Sequence, residues 1–133
     1  MSSSASMPCL LALFAGLLPQ PALAQWSKVG EVGSLTLYLD RSTIERKGSL
    51  RAVIEMQDLR QPDPDGVLSR RYRNEYDCAI GMHRIGGMTS FAGPRLAGKQ
   101  LFDVDETGYW RRIAPGSLFG SSFSQVCADW VSP

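Results

Sequence analysis

Residues 69–80 read SRRYRNEYDCAI, and the alternation of side chains along them predicts a long β-strand. Two tyrosines and a cysteine belong to one set of alternate positions, whereas the other set is charged throughout. The first set is Arg70, Tyr72, Asn74, Tyr76 and Cys78, and the second is Arg71, Arg73, Glu75 and Asp77. Because alternate residues point to opposite faces of a strand, we expect the charged face to meet solvent.

The residues on either side of this strand predict further strands. Leu37 and Leu39 alternate with polar neighbours, which is typical of a half-buried strand. Residues 40–42 form a turn signal, Lys47-Gly48 forms a hairpin signal, and the proline-rich residues 60–68 form a loop. The predicted strands are residues 25–29 at an edge, 34–40, 43–46, 49–59, 69–80 with a bent continuation through 81–87, 88–91, and either 100–104 or 109–113.

Near the C-terminus the period of two gives way to a helical period. Apolar side chains recur at three- and four-residue spacing, at Leu118, Phe119, Phe123, Val126, Cys127 and Trp130. Ser117 can cap the start of this helix, and the Ser-x-x-Gln pattern at Ser122 and Gln125 leaves a later start open. The sequence therefore predicts an α+β fold, in which an antiparallel β-sheet of about six strands is covered by one C-terminal helix.

Residues 1–24 have the features of a secretory signal peptide. Their apolar run, residues 10–18, is too short to cross a bilayer as a helix, which needs roughly 20 residues. Small residues follow, and they predict cleavage between Ala24 and Gln25. The mature domain would then be residues 25–133, with no membrane span.

The leader departs from the usual signal in one respect, because no Lys or Arg precedes its apolar run. An uncleaved membrane anchor and a misplaced start at Met1 therefore stay open. Cys9 lies before the apolar run, so it is expected to leave with the leader. This position predicts no lipid anchor on the mature chain.

Cleavage would leave two cysteines, Cys78 and Cys127. An even pair in an oxidising compartment predicts a disulfide, and two buried free thiols are the alternative. Cys127 lies on the apolar face of the predicted helix and Cys78 lies on the long strand. A disulfide between them would therefore tether the helix to the sheet.

The charge balance argues against nucleic acid as a partner. The chain has 14 Lys and Arg and 13 Asp and Glu, a net charge of +1, whereas phosphate binding requires a concentrated basic face. Two cysteines and one histidine, His83, are too few ligands for a metal site. Residues 81–87 lack the Gly-Lys-Ser/Thr ending of a phosphate loop, and we expect neither a metal nor a cofactor.

Candidate catalytic groups reduce to His83 and to the pair Glu75 and Asp77. A nucleophile needs a base positioned beside it, and the favoured interpretation of His83 is an ordinary, partly exposed histidine. Glu75 and Asp77 would share a strand face and could do acid–base work. Their arginine neighbours favour a solvated, self-compensating face instead. We therefore predict no catalytic residue.

The arginines of the long strand are candidates for contact with an anion or an anionic partner. They are Arg70, Arg71 and Arg73. A solvated charged face is the alternative interpretation of this cluster.

Several stretches, taken in order, resemble a known family. They are WSKV at 26–29, LYLDRSTIERKG at 37–48, EYDC at 75–78, WRRIAPGS at 110–117 and VC at 126–127. Together they are similar to the surface-adhesin protein E family of proteobacterial envelope proteins. The resemblance covers nearly the whole mature chain.

The resemblance implies a mostly antiparallel sheet with a C-terminal helix tethered by Cys78 and Cys127. It also implies attachment to host extracellular proteins, although the founding adhesin is a lipoprotein and this chain has no suitable lipobox. The expected function is a non-enzymatic, exported binding module of the bacterial envelope, periplasmic or secreted, whose partner is an envelope or host extracellular protein. The alternatives are a true host-matrix adhesin displayed on the cell surface and, more weakly, an envelope enzyme.

Overall fold

A computed structural model describes residues 3–8, 16 and 23–133 of the chain. The predicted signal peptide, residues 1–24, lies mostly outside these residues, as does Cys9. In the part that is described, no helix is long and apolar enough to cross a membrane.

Between residues 23 and 133 the chain forms a seven-stranded antiparallel sheet and one α-helix. The elements are β1 (Trp26–Val32), β2 (Leu35–Lys47), β3 (Leu50–Leu59), β4 (Ser69–Asp77), β5 (Met82–Phe91), β6 (Gln100–Thr107), β7 (Arg111–Arg112) and α1 (Leu118–Val126), with a 3-10 turn at Pro94–Leu96. The first six strands pair in sequence order, and β7 pairs with β5. The prediction of an antiparallel sheet with one C-terminal helix is confirmed. Both segments that were candidates for the last strand form strands, since residues 100–104 belong to β6 and residues 109–113 include β7.

The predicted turn at residues 40–42 is wrong, because β2 runs through it as one strand with a bulge. The register with β3 shifts between Asp40 and Glu45. Asp40 Oδ1 accepts hydrogen bonds from Ser42 N at 3.0 Å and Ser42 Oγ at 2.6 Å. Thr43 Oγ1 accepts from Ile54 N at 2.9 Å and so joins the bulge to β3. The turn-forming side chains are therefore satisfied inside the strand and do not end it.

The predicted continuation of the long strand through residues 81–87 is also wrong. The chain reverses after Asp77, whose carbonyl accepts from Gly81 N at 2.9 Å and whose Oδ1 accepts from Ala79 N at 3.0 Å. Gly81 has a φ of +68°, a conformation that favours glycine. Residues 82–91 return as a single strand, β5, whose second half contains the strand predicted at 88–91.

α1 packs across one face of the sheet, which we call the helix side. Its Val126 joins Leu39, Val53 and Tyr76 in the buried core. A Cβ at Gly30 would lie 3.0 Å from Leu118 Cδ2, so the missing side chain lets α1 approach β1 closely. The cap is the one predicted at Ser117, whose Oγ accepts from Gly120 N at 3.1 Å, and the alternative start at Ser122 is wrong.

The Cys78–Cys127 disulfide is confirmed, and the alternative of two free thiols is wrong. The two Cα atoms are 5.6 Å apart. Cys78 follows β4 directly, and Cys127 is the C-terminal cap of α1. The disulfide therefore joins the end of the helix to the end of the long strand.

Candidate binding surface

The face of the sheet opposite the helix carries a ladder of ion pairs. Arg73 pairs with Glu75 at 2.6 Å and with Glu45 at 3.3 Å, and Glu75 also pairs with Arg84 at 3.0 Å. The prediction of a solvated, self-compensating face is confirmed for these residues. Glu45 and Arg73 are exposed, and an exposed pair of this kind contributes about 0–1 kcal/mol, whereas Glu75 is partly buried. Glu75 forms ion pairs with arginines, whereas Asp77 accepts a hydrogen bond from the backbone of the turn that follows it. The structure therefore does not bring the two carboxylates to one site.

The three arginines proposed as an anion-binding cluster lie in different surroundings. Arg70 is half-buried and pairs with Asp63 at 3.0 Å. Arg73 belongs to the ladder described above. Arg71 is exposed, and none of the ion pairs found within residues 23–133 involves it. Contact of this cluster with an anionic partner stays a prediction, for which Arg71 is the most available cation.

His83 is buried, so the expectation of a partly exposed histidine is wrong. Its side chain is 7% exposed because β5 places it directly opposite Tyr76, under α1. The ring stacks on Tyr76 at a centroid distance of 5.9 Å and contacts Phe119 at 4.7 Å. Burial, with a smaller contribution from the charge of Arg111, lowers the pKa of His83. The imidazole is therefore kept neutral beneath the helix.

Glu55 is a second buried titratable group, and it was not among the candidate residues predicted from the sequence. Its carboxylate is fully buried and hydrogen-bonds Asn74 Nδ2 at 3.0 Å, Ser122 Oγ at 2.6 Å and the hydroxyl of Tyr76. Burial is the main cause that raises the pKa of Glu55, against the opposing effect of these hydrogen bonds. The network links β3 and β4 to the helix, and it is closed to solvent.

The network also orients His83. Asn74 donates through its amide nitrogen to Glu55 and to Tyr76, so its Oδ1 is left to accept. His83 Nδ1 lies 3.2 Å from that oxygen. We therefore assign the ring hydrogen to Nδ1, which leaves Nε2 as an acceptor.

The sequence signal that could have identified Glu55 as buried was its place on the same strand face as Val53, a core residue two positions earlier.

Beside α1, an open groove of about 340 Å³ lies on the helix side of β5. Its apolar walls are Ile85 and Met88 from β5 and Phe119 from α1, and its polar lining is formed by His83, Arg84, Tyr109 and Arg111. Tyr109 is 88% exposed. Arg111 shares the face of His83, because the two residues are paired in the β5–β7 register. We call this feature the helix-side groove.

The groove continues towards the outer edge of the sheet. An adjoining depression of about 490 Å³ shares Ile85, Met88 and Tyr109 and adds Val104 and Glu106 from β6. A contiguous apolar surface rimmed by polar groups is typical of a binding surface. Sequence reasoning missed this groove, because its residues come from separate segments that only the pairing of β6 and β7 with β5 and the placement of α1 bring together.

Comparison with known proteins gives matches to one family and one fold. Residues 26–128 match the family described as Surface-adhesin protein E. Crystal form II of Haemophilus influenzae protein E has a TM-score of 0.56 at 12% identity, covering 81% of this chain and 98% of that chain. Protein E from non-typeable Haemophilus influenzae has a TM-score of 0.54 at 15% identity, covering 84% of this chain and 82% of that chain. No curated protein matches the sequence significantly.

The two kinds of match support different statements. At these identities the solved structures share the fold with this chain and nothing finer. The family match establishes membership of the family, since the matched residues 26–128 include every strand and the helix described above. The chain therefore belongs to the surface-adhesin protein E family and is an adhesin-like protein.

Proposed function

We propose that the chain is a non-enzymatic, exported binding module of the bacterial envelope that recognises a protein partner through the helix-side groove. The observation that carries this proposal is the family match over residues 26–128, which spans the whole folded domain. The partner is an envelope protein or a host extracellular protein. The mature domain acts in the periplasm or in the surrounding medium.

Export is supported by two independent features. Residues 1–24 have the pattern of a signal peptide, with cleavage between Ala24 and Gln25. The Cys78–Cys127 disulfide requires an oxidising compartment to form and persist. Both features favour a location outside the cytoplasm.

Binding is favoured over catalysis by the way the titratable groups are used. His83 is buried, neutral and bonded to Asn74. Glu55 is closed to solvent, and Glu75 is paired with two arginines. In contrast, the partly buried apolar side chains of Ile85, Met88 and Phe119 line an open groove beside α1, as expected of a surface that is buried against another protein.

A matched pair of measurements tests export. We expect the protein recovered from the periplasmic or extracellular fraction to have the intact mass of residues 25–133, less the two hydrogens lost in one disulfide. Treatment with a reductant should restore those hydrogens. Recovery of the uncleaved chain from the cytoplasm, with thiols that alkylate without reduction, would contradict the proposal.

A host-matrix adhesin displayed on the cell surface is the second candidate, and the family description favours it. Protease treatment of intact cells separates the two candidates. A surface adhesin is digested on intact cells, whereas a periplasmic module is digested only after the outer membrane is permeabilised. We expect the second pattern for the protein that stays with the cells, because Cys9 precedes the apolar run and is expected to leave with the leader.

A further inference from the structure

The outer strand β6 presents a free edge of the sheet. Among the residues that the structure describes, β6 pairs with β5 alone, so its other edge offers backbone N–H and C=O groups without strand partners. Seven of its eight residues are exposed. The opposite edge strand, β1, differs in that α1 packs on its face at Gly30.

The two faces of β6 have different chemistry. Phe102 and Val104 pair with Ser90 and Met88, so they lie on the helix side, and they are 48% and 50% exposed. Asp103 lies on the other face, where its Oδ1 accepts from Thr89 Oγ1 at 3.1 Å. Strand alternation places Asp105 on that same face.

We propose that β6 binds an extended segment of a partner protein as an added strand, and that this segment alternates Lys or Arg with apolar or aromatic residues. The proposal rests on the proposed function for the statement that the partner is a protein. Its cationic side chains lie opposite Asp103 and Asp105, and its apolar side chains cover Phe102 and Val104. Cross-strand pairs of both kinds are stabilising, and backbone hydrogen bonds supply the rest of the affinity.

Charge complementarity favours this occupant over two others. An antiparallel pairing of β6 with β6 of a second copy would bring the carboxylates of both strands together, and like charges on opposing strands are destabilising. An anionic lipid surface would meet the same carboxylates, including Glu106 at the end of the groove. A segment that alternates basic and apolar residues avoids both repulsions. It places positive charge beside the carboxylates on one face of β6 and apolar side chains on the other face.

Binding of a capped peptide, KVKFKVKV, to the mature domain tests the proposal. The matched control peptide, KKKKVFVV, has the same composition but does not alternate. We expect the alternating peptide to bind on the order of tenfold more tightly, since only its order places Lys on one face and apolar residues on the other. Fluorescence anisotropy at low and at high salt measures both affinities, and added salt should weaken the complex.

Two exposed valines on opposite edges of the sheet provide the control on the protein. Val104→Lys on β6 is expected to weaken binding of the alternating peptide on the order of tenfold, because it places a charge opposite the apolar side chains of the peptide. Val32→Lys on β1, where Val32 is 62% exposed, is expected to leave the affinity unchanged. Asp105→Lys, which keeps the apolar face, should also weaken binding and should reduce its salt dependence. Circular dichroism verifies that each variant is folded.

Three results would overturn the proposal. They are equal affinities for the two peptides, equal effects of Val104→Lys and Val32→Lys, and self-association of the parent domain that Val104→Lys abolishes. The last result would assign β6 to a second copy. None of them affects the proposed function, which depends on export and on contacts at the helix-side groove.

Discussion

Glu55 is the residue whose burial has the largest physical consequence. A carboxylate without solvent contact is costly unless it is protonated or well hydrogen-bonded. Here Asn74, Tyr76 and Ser122 surround it, and desolvation still raises its pKa above the ordinary value of 4.5. The protonated form is therefore the one that the fold prefers, and its hydrogen bond to Ser122 connects the central strand to the helix.

The raised pKa gives the stability a pH dependence with a defined sign. The folded state holds the Glu55 proton to a higher pH than the unfolded state, so the free energy of unfolding decreases as pH rises above about 4.5. Glu55→Gln keeps a donor and an acceptor in the same shape but does not ionise. We expect the melting temperature of the variant, relative to the parent, to rise as the pH increases above about 4.5 and to level off once the buried carboxyl group ionises in the folded state.

Thermal unfolding followed by circular dichroism across this pH range measures the effect. Glu31 and Asp129, whose pKa values are lowered by Lys28 and by Arg46 respectively, are common to both proteins and cancel in the difference. Glu106→Gln, at an exposed position on β6, is the matched control and should track the parent. A constant difference between Glu55→Gln and the parent at every pH would show that the proton at Glu55 is not linked to folding.

At the scale of elements, periodicity predicted which segments form strands and where the helix lies. The alternation over residues 69–77 and the helical spacing after Ser117 are both present in the structure. Strand ends were less predictable, because local turn signals do not report the partner strand. Asp40 satisfies its turn-forming side chain inside β2, and Gly81 reverses a chain that alternation alone would have continued.

The contribution of the Cys78–Cys127 disulfide, which tethers α1 to the sheet, to the free energy of unfolding can be measured directly. Cys78 and Cys127 close a loop with a sequence separation of 49, for which the chain-entropy model assigns about 4 kcal/mol. We expect the double variant Cys78→Ser and Cys127→Ser to lose up to about this free energy of unfolding. The helix keeps other contacts, including Ser122 with Glu55 and the core residue Val126, so the variant should remain folded at low temperature.

Urea unfolding with and without a reductant measures this prediction. The reductant should destabilise the parent by about as much as the double substitution and should leave the double variant unchanged. If the reductant does not change the unfolding midpoint of the parent, the disulfide does not stabilise the fold.

At the scale of the whole molecule, a six-strand meander ends in two edge strands whose faces have different surroundings. α1 packs against β1, whereas β6 and the neighbouring groove stay open. The fold class and the disulfide could be predicted from the sequence because they depend on periodicity and on cysteine count. The groove could not, because Ile85, Tyr109 and Phe119 meet only through the pairing of β6 and β7 with β5 and the position of the helix.

A photoreactive phenylalanine analogue placed at Tyr109 of the full-length chain tests the central claim, that an exported module binds a protein at the helix-side groove. The same analogue at Val131, which is 82% exposed and lies beyond the end of α1, is the matched control. After irradiation of intact cells, the account predicts a covalent adduct with a partner protein in the envelope or extracellular fraction from position 109 and none from position 131. Identical adduct patterns from the two positions, or no adduct from position 109, would contradict it.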